Sequence, residues 1–336
     1  WLIADTTADI PEGATADRTS TLVILDTSTV TVTAKNKDMT ITKDITNTEP
    51  TNVSDHNIGD TVNYTIVATI DPNMAQYDPA TYKYIITDTL SKGVVYDLDP
   101  TNDALEDFDI NNVEQVKTMM GLTIEDDDGN DISRYFTVDL LSDDDLTNGF
   151  TFTITGNTDG DHIWASSGLS GNVTVNYNAI VNKFAVVGGD GNPNEVDLEF
   201  SNNPNTDSTG ETPKDIVTSF TYQLNVTKVD GNDKDTKLKD ARFALYRLVD
   251  DPENAGQKIP QYVKIDADNK VSGWQDTLPT DGNIVTDDNG KMSVSGLDAG
   301  TYYLTECVAP DGYNLLDKDV KITITAEYSA DGKITD

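Results

Sequence analysis

The stretch TYYLTECVAPDGYNLL, Thr301 to Leu316, limits what this chain can fold into more than any other. Its first half alternates, with Tyr302, Leu304 and Glu306 on one face and Tyr303, Thr305 and Cys307 on the other. That period of two marks a half-buried strand and aims the Glu306 carboxyl at the apolar side. A lone carboxylate is costly there, so Glu306 is expected to be neutral or paired. The second half, Ala309-Pro310-Asp311-Gly312-Tyr313, is turn chemistry that stops the strand. An acid carried into a core needs a partner from elsewhere in the chain.

The rest of the sequence extends the strand pattern. Thr, Val, Ile and Tyr fill the periodic runs while Asp, Asn and Gly fill the gaps, which predicts an all-β fold of tandem immunoglobulin-like sandwiches. With 336 residues there is room for two such cores. The 23 Lys and Arg against 59 Asp and Glu, a net charge of −36, argue against nucleic acid and anionic membranes as partners. One Cys forms no internal disulfide, so an extracellular chain of this kind needs another staple. No signal peptide, transmembrane run or lipidation motif is visible. The abrupt start at Trp1 and the stop inside an apparent strand suggest a piece of a longer secreted protein.

Three segments follow from the pattern. Residues 1–35 read as the end of a preceding domain and a joint. Residues 36–215 read as a β domain that closes with a polar linker, Ser201–Asp215. Residues 216–336 read as a second β domain, cut in its last strand. In the first, Met39, Ile41, Lys43 and Ile45 share a parity, so Lys43 points inward. Tyr84, Ile86, Asp88 and Leu90 share another, so Asp88 does too. Val196, Leu198, Phe200 and Asn202 share the parity of the last strand, ahead of Pro204. One short helical pattern covers Val113–Met120 in an otherwise acidic excursion at 97–132. In the second domain Phe220, Tyr222, Leu224, Val226 and Lys228 run on one parity.

Each domain thus aims a Lys and an acid inward, and the first adds an Asn. Desolvation lowers the proton affinity of a buried Lys and leaves a nucleophilic amine. It keeps a buried acid protonated, able to polarise an amide carbonyl and assist proton transfer. The amine attacks, ammonia leaves, and an isopeptide bond ties the first strand to the last.

On these residues the chain resembles a sortase-assembled pilin of Gram-positive bacteria. Val226-Thr227-Lys228-Val229-Asp230, Ala241-Arg242-Phe243-Ala244-Leu245-Tyr246 and the Tyr302-x-Leu-x-Glu306 box with Ala309-Pro310-x-Gly312-Tyr313 resemble a collagen-adhesin B-type domain. Ile41-Thr42-Lys43-Asp44-Ile45, Ile58-Gly59-Asp60-Thr61-Val62-Asn63-Tyr64-Thr65, Ile86-Thr87-Asp88-Thr89-Leu90 and Phe200-Ser201-Asn202-Asn203-Pro204 resemble the pilin middle domain. The resemblance implies a structural subunit, not an enzyme, of a covalently polymerised pilus, extracellular and anchored to the cell wall. Its partners would be other pilin subunits, the pilus sortase and a possible host surface ligand. It also implies a bond from Lys43 to Asn202 assisted by Asp88. Parity favours Asn202 over Asn203. In the second domain Lys228 and Glu306 match the donor and the acid, with the acceptor beyond the chain or, as the lesser reading, at Asp336. Val32-Thr33-Ala34-Lys35 stands where the family carries its intersubunit lysine, which makes Lys35 the candidate for that link.

Plainer readings stay open. Lys43 and Lys228 could snorkel from strand ends, Asp88 could cap a turn, Asn202 could be turn chemistry, and Lys35 could be solvated. The acidic runs Asp97–Asp107, Glu125–Asp131 and Ser142–Asp145 are candidates for calcium, but none has the spacing of a calcium-binding loop, and solvated loops are favoured. No cofactor is expected. His56 and His162 lack a nucleophile in a recognisable hydrolase motif. The alternative function is a tip or base adhesin that binds a host ligand directly.

Overall fold

The computed structural model describes residues 2–3, 21–22, 39–46, 48, 50–95, 112–141, 149–329 and 332–335. Lys35, Asp336 and the acidic runs Asp97–Asp107 and Ser142–Asp145 lie outside them. The described residues form an all-β chain of two sandwiches. In the first, one sheet runs in the order Val53–Asp55, Asp215–Phe220, Asn192–Ser201, Tyr84–Leu90, Phe150–Gly156, Phe136–Leu140. The facing sheet runs Ile41–Ile45, Thr61–Thr69, Asn172–Val181, Val94–Val95, with Thr123–Glu125 also on the Asn172–Val181 strand.

Strict alternation builds the core between them. The Thr61–Thr69 strand buries Val62, Tyr64, Ile66 and Ala68, and its antiparallel neighbour buries Val173, Val175, Tyr177, Ala179 and Val181. From the other sheet come Tyr84, Ile86, Asp88 and Leu90, none more than 1% exposed. The helix Val113–Met120 begins at Asn112, whose side chain accepts from Gln115 N, and ends at Gly121 in the left-handed region. It turns Val116 and Met120 into the core, so this part of the acidic excursion is a packed element.

Two boundaries differ from the sequence reading. The stretch read as a linker folds back on the sheet: Thr209–Glu211 pairs with Asn192–Ser201. The Asp215–Phe220 strand, read as the opening of the second domain, pairs with Asn192–Ser201 and, in parallel, with Val53–Asp55. The chain crosses to the second sandwich at Thr221, where consecutive burial of Ser219, Phe220 and Thr221 interrupts the alternation. Apolar residues continue on both sides of that point, and the pattern alone does not reveal a change of sheet.

The second sandwich sets a two-stranded sheet, Tyr222–Thr227 with Lys291–Leu297, against a sheet ordered Val271–Gln275, Lys258–Ile265, Arg242–Asp250, Gly300–Val308, Val320–Ile324. A polar joint connects the sandwiches. Fully buried Asn57 accepts through Oδ1 from Asp298 N at 3.2 Å and the Tyr302 hydroxyl at 3.3 Å. Asp55 Oδ2 accepts from Ala299 N at 2.7 Å, and Ile58 N donates to Gly296 O at 3.0 Å. Gly296 has φ +90° and leaves no room for a Cβ, which would lie 2.5 Å from Ile58 Cδ1.

Candidate functional site

Lys43 is the middle residue of the Ile41–Ile45 strand, in register with Ile66. Alternation sends its whole side chain into the sandwich, where it is 2% exposed. The ammonium therefore does not snorkel, and it meets two groups from the opposite sheet. Nζ donates to Asp88 Oδ2 and, at 2.7 Å, to Asn194 Oδ1. Asp88 and Asn194 are both fully buried. The Tyr177 hydroxyl joins them: it accepts from Lys43 Nζ at 2.8 Å and from Asn194 Nδ2 at 2.6 Å, and donates to Asp88 Oδ1 at 3.0 Å. The Tyr64 and Tyr177 rings flank the amine, each with its centroid 5.1 Å from Nζ. Lys43 N donates to Asp215 Oδ2 at 2.7 Å, which fixes the strand over the site.

Burial controls the electrostatics. Desolvation pulls the Lys43 ammonium down from its usual value to about 8, against the opposing pull of Asp88. It pushes the Asp88 carboxyl up, against the pull of Lys43 and Tyr177. Both shifts make proton transfer from the ammonium to the carboxylate easier than between free side chains. A neutral amine held against a primary amide, with an acid beside it, has the parts for acyl transfer to nitrogen.

The sequence reading placed Asn202 here, and the structure places Asn194. The last long strand runs antiparallel to Tyr84–Leu90, with Val196 opposite Asp88, Asn194 opposite Leu90 and Phe200 opposite Tyr84. The start of that strand, not its end, therefore lies level with the lysine. Asn202 is at the far end, half-exposed, and accepts from Ser208 Oγ at 2.7 Å. Asn203 lies in the following turn, where its Oδ1 accepts from Asn205 N at 3.0 Å. Asn194 has the same parity as Val196 and Leu198. Extending that inward pattern two residues back would have found it.

In the second sandwich Glu306 is buried between Leu304 and the strand end, with the carboxyl turned in as its alternation requires. Lys228 Nζ lies 2.9 Å from its Oε1, and Leu316 N donates to Oε2 at 2.9 Å. The Lys228 contact is close but not aligned as a hydrogen bond, so Oε1 has no donor among the described residues. No Asn or Asp side chain hydrogen-bonds Lys228 among the described residues, and Asp336 falls outside them.

Other sequence candidates are placed as follows. Asp126 in the Glu125–Asp131 run accepts from Asp128 N and Asn130 N within its own turn. Among the described residues no group of three or more His, Cys, Asp or Glu is arranged to hold a metal. Ser54 Oγ lies 2.6 Å from His56 Nε2, a proximity the sequence did not suggest. Ser54 is buried at 6% exposure against the joint, and no described donor or acceptor hydrogen-bonds the other ring nitrogen, so this pair lacks the third member and the access a hydrolase needs. No described helix is long and apolar enough to cross a membrane.

Comparison with known proteins agrees with this architecture. Residues 222–336 match the family described as SpaA, prealbumin-like fold domain. The trypsin-resistant surface T6 protein of Streptococcus pyogenes serotype M6 is 30% identical over 179 residues, which are 48% of this chain and 28% of that protein. The chain thus spans well under half the length of that curated relative. The group B streptococcus pilus 2b backbone protein is 25% identical at a TM-score of 0.52, covering 86% of this chain and 92% of that one. The C-terminal fragment of the major pilin GBS80 of Streptococcus agalactiae reaches a TM-score of 0.54 with the same coverages, and at 17% identity shares the fold.

Proposed function

We propose that this chain is a structural subunit of a covalently polymerised, cell-surface pilus, and that its first sandwich closes an isopeptide bond between Lys43 and Asn194 with Asp88 as the assisting acid. The observation that carries this reading is the buried contact of Lys43 Nζ with Asn194 Oδ1 at 2.7 Å, beside Asp88. A lysine, an acid and an amide are expensive to bury and are retained here as one mutually hydrogen-bonded cluster, which holds the amine against the amide it would attack. The bond would join the first strand of the sandwich to the last long one. Tension along the chain would then pass through a covalent link rather than unzip the sheet. Such a link also restricts the unfolded chain as a disulfide does, and survives reduction. The similarity to the group B streptococcus pilus 2b backbone protein supports this role.

In the second sandwich Lys228 is the proposed donor and Glu306 the acid, with an acceptor outside the described residues. Lys35 is the proposed intersubunit lysine, joined by the pilus sortase to a neighbouring subunit at the cell wall.

The test is the intact mass of the denatured, reduced chain beside Lys43→Ala and Asn194→Ala. The reading expects a deficit of one ammonia in the wild type that both substitutions abolish. A wild-type chain at its full calculated mass would refute the first-domain bond.

A further inference from the structure

The bond proposed above requires a proton to leave the attacking nitrogen and another to arrive on the departing one. Water is a poor carrier here, because Lys43, Asp88, Asn194 and Tyr177 are all nearly or fully buried. One hydroxyl bridges the two nitrogens. Tyr177 lies 2.8 Å from Lys43 Nζ and 2.6 Å from Asn194 Nδ2.

We infer that Tyr177 is a catalytic residue of the cross-linking reaction, a proton shuttle from Lys43 Nζ to Asn194 Nδ2. The inference rests on the cross-linking reading above. The reaction begins when Lys43 passes one proton to Asp88 Oδ2, giving an amine and a neutral acid. The Nζ lone pair adds to Asn194 Cγ, and the carbonyl π pair moves onto Oδ1. Nζ now carries one proton too many. It gives that proton to the Tyr177 oxygen as the Tyr177 hydroxyl gives its own to Nδ2. The Oδ1 pair re-forms the carbonyl, the Cγ–Nδ2 bond breaks, and its electrons leave with nitrogen as ammonia. Tyr177 ends as a hydroxyl and Asp88 as a neutral acid, so protons and charge balance.

The surroundings suit the role. The hydroxyl has one donor and two acceptor positions, and all three are used: it donates to Asp88 Oδ1 and accepts from both nitrogens. Rotation about one C–O bond turns the donated proton from Asp88 to Nδ2. The ring itself stays fixed, with Tyr64 at 5.2 Å and Phe152 edge-on at 5.3 Å. Burial holds the phenol well above its ordinary value, so it remains a hydroxyl and not a phenolate. The register that pairs Tyr177 with Tyr64 places it on the sheet opposite Asp88 and Asn194. Among the described residues, Tyr177 is the one whose side chain hydrogen-bonds both nitrogens.

The experiment times bond formation in the full chain. Synthesis is pulsed, samples are quenched in denaturant at intervals, and the fraction lighter by one ammonia is read by intact mass. Tyr177→Phe is expected to slow bond formation about a hundredfold or more, the range of a lost acid–base group. A fluorinated tyrosine in place of Tyr177 keeps the ring and its hydrogen bonds but makes the phenol more acidic. It is expected to change the rate several-fold and to move its pH profile, which a tyrosine that merely holds Asn194 in place would not do. Bond formation at the wild-type rate in Tyr177→Phe, or an unchanged rate and pH profile with the fluorinated residue, overturns the shuttle while leaving the bond itself intact. A wild-type chain that never loses ammonia overturns both.

Discussion

Val196 stands opposite Asp88 across an antiparallel rung of the first sandwich, and this register decides which asparagine meets the buried lysine. Asn194, one inward position before Val196, lies over Lys43, whereas Asn202, three inward positions after Val196 by the same parity, lies beyond the end of the strand. The first prediction follows directly. Asn202→Ala should keep the deficit of one ammonia, and Asn194→Ala should lose it. Asn194→Asp should instead lose water if it reacts. Without the bond the first sandwich should be less stable by about 2–5 kcal/mol, as for a lost covalent cross-link. Intact mass and denaturant unfolding of the three variants check this.

The titration of Lys43 should depend on whether the bond is present. In Asn194→Ala the amine is free, with a folded value near 8 against an ordinary 10.5. Between these values the unfolded chain binds more protons than the folded one, so stability should rise with pH across that window and the Lys43 contribution should be lost as pH falls through 8. Asp88 acts in the opposite sense. Its raised value gives a contribution present at low pH that is lost as pH rises through the folded value. If the wild type carries the proposed bond, Nζ is an amide that does not titrate, and the alkaline rise should be absent. Unfolding free energies of the two chains at a series of pH values decide the matter.

Removing the acid alone should be worse than removing both charges. In the Asn194→Ala background, Asp88→Ala leaves the Lys43 ammonium buried without its partner, a loss of about 3–5 kcal/mol. Adding Lys43→Met should recover most of that, because no uncompensated charge remains. Denaturant midpoints of the single and double changes test it, and equal stability would contradict the burial argument.

The joint should be sensitive at Gly296. An alanine there is strained at φ +90° and pushes into Ile58, so Gly296→Ala should separate the sandwiches or destabilise both. Asn57→Ala should cost about 1–3 kcal/mol by leaving the part-buried Asp298 N–H without its acceptor, while the Tyr302 hydroxyl keeps Asp298 as its partner. Small-angle scattering reads the relative placement of the two sandwiches, and calorimetry reads whether they still unfold together.

Glu306→Ala should destabilise the second sandwich chiefly by freeing Leu316 N, which anchors the turn after the strand. The expected loss is about 1–3 kcal/mol. Proteolysis near Leu315 and Leu316 should accelerate with it. An unchanged cleavage rate would mean that the turn is held by other contacts.

Much of this was written in local pattern. Period-two alternation put Lys43, Asp88 and Glu306 on inward faces, and the structure finds all three buried or nearly so. The Val113–Met120 helix was legible because its cap, apolar spacing and closing glycine lie within a few residues of one another. Parity is a property of consecutive residues, and a sequence states it outright. Register and sheet membership are different, because they depend on strands far apart in the chain. The position of Asn194 against Asp88, the return of Asp215–Phe220 to the first sandwich and the arrival of Tyr177 between two nitrogens were each decided by pairing over long separations. Alternation fixes which way a side chain points. Only the assembled sheets, through their hydrogen-bonded register and the shared core between them, fix what it points at.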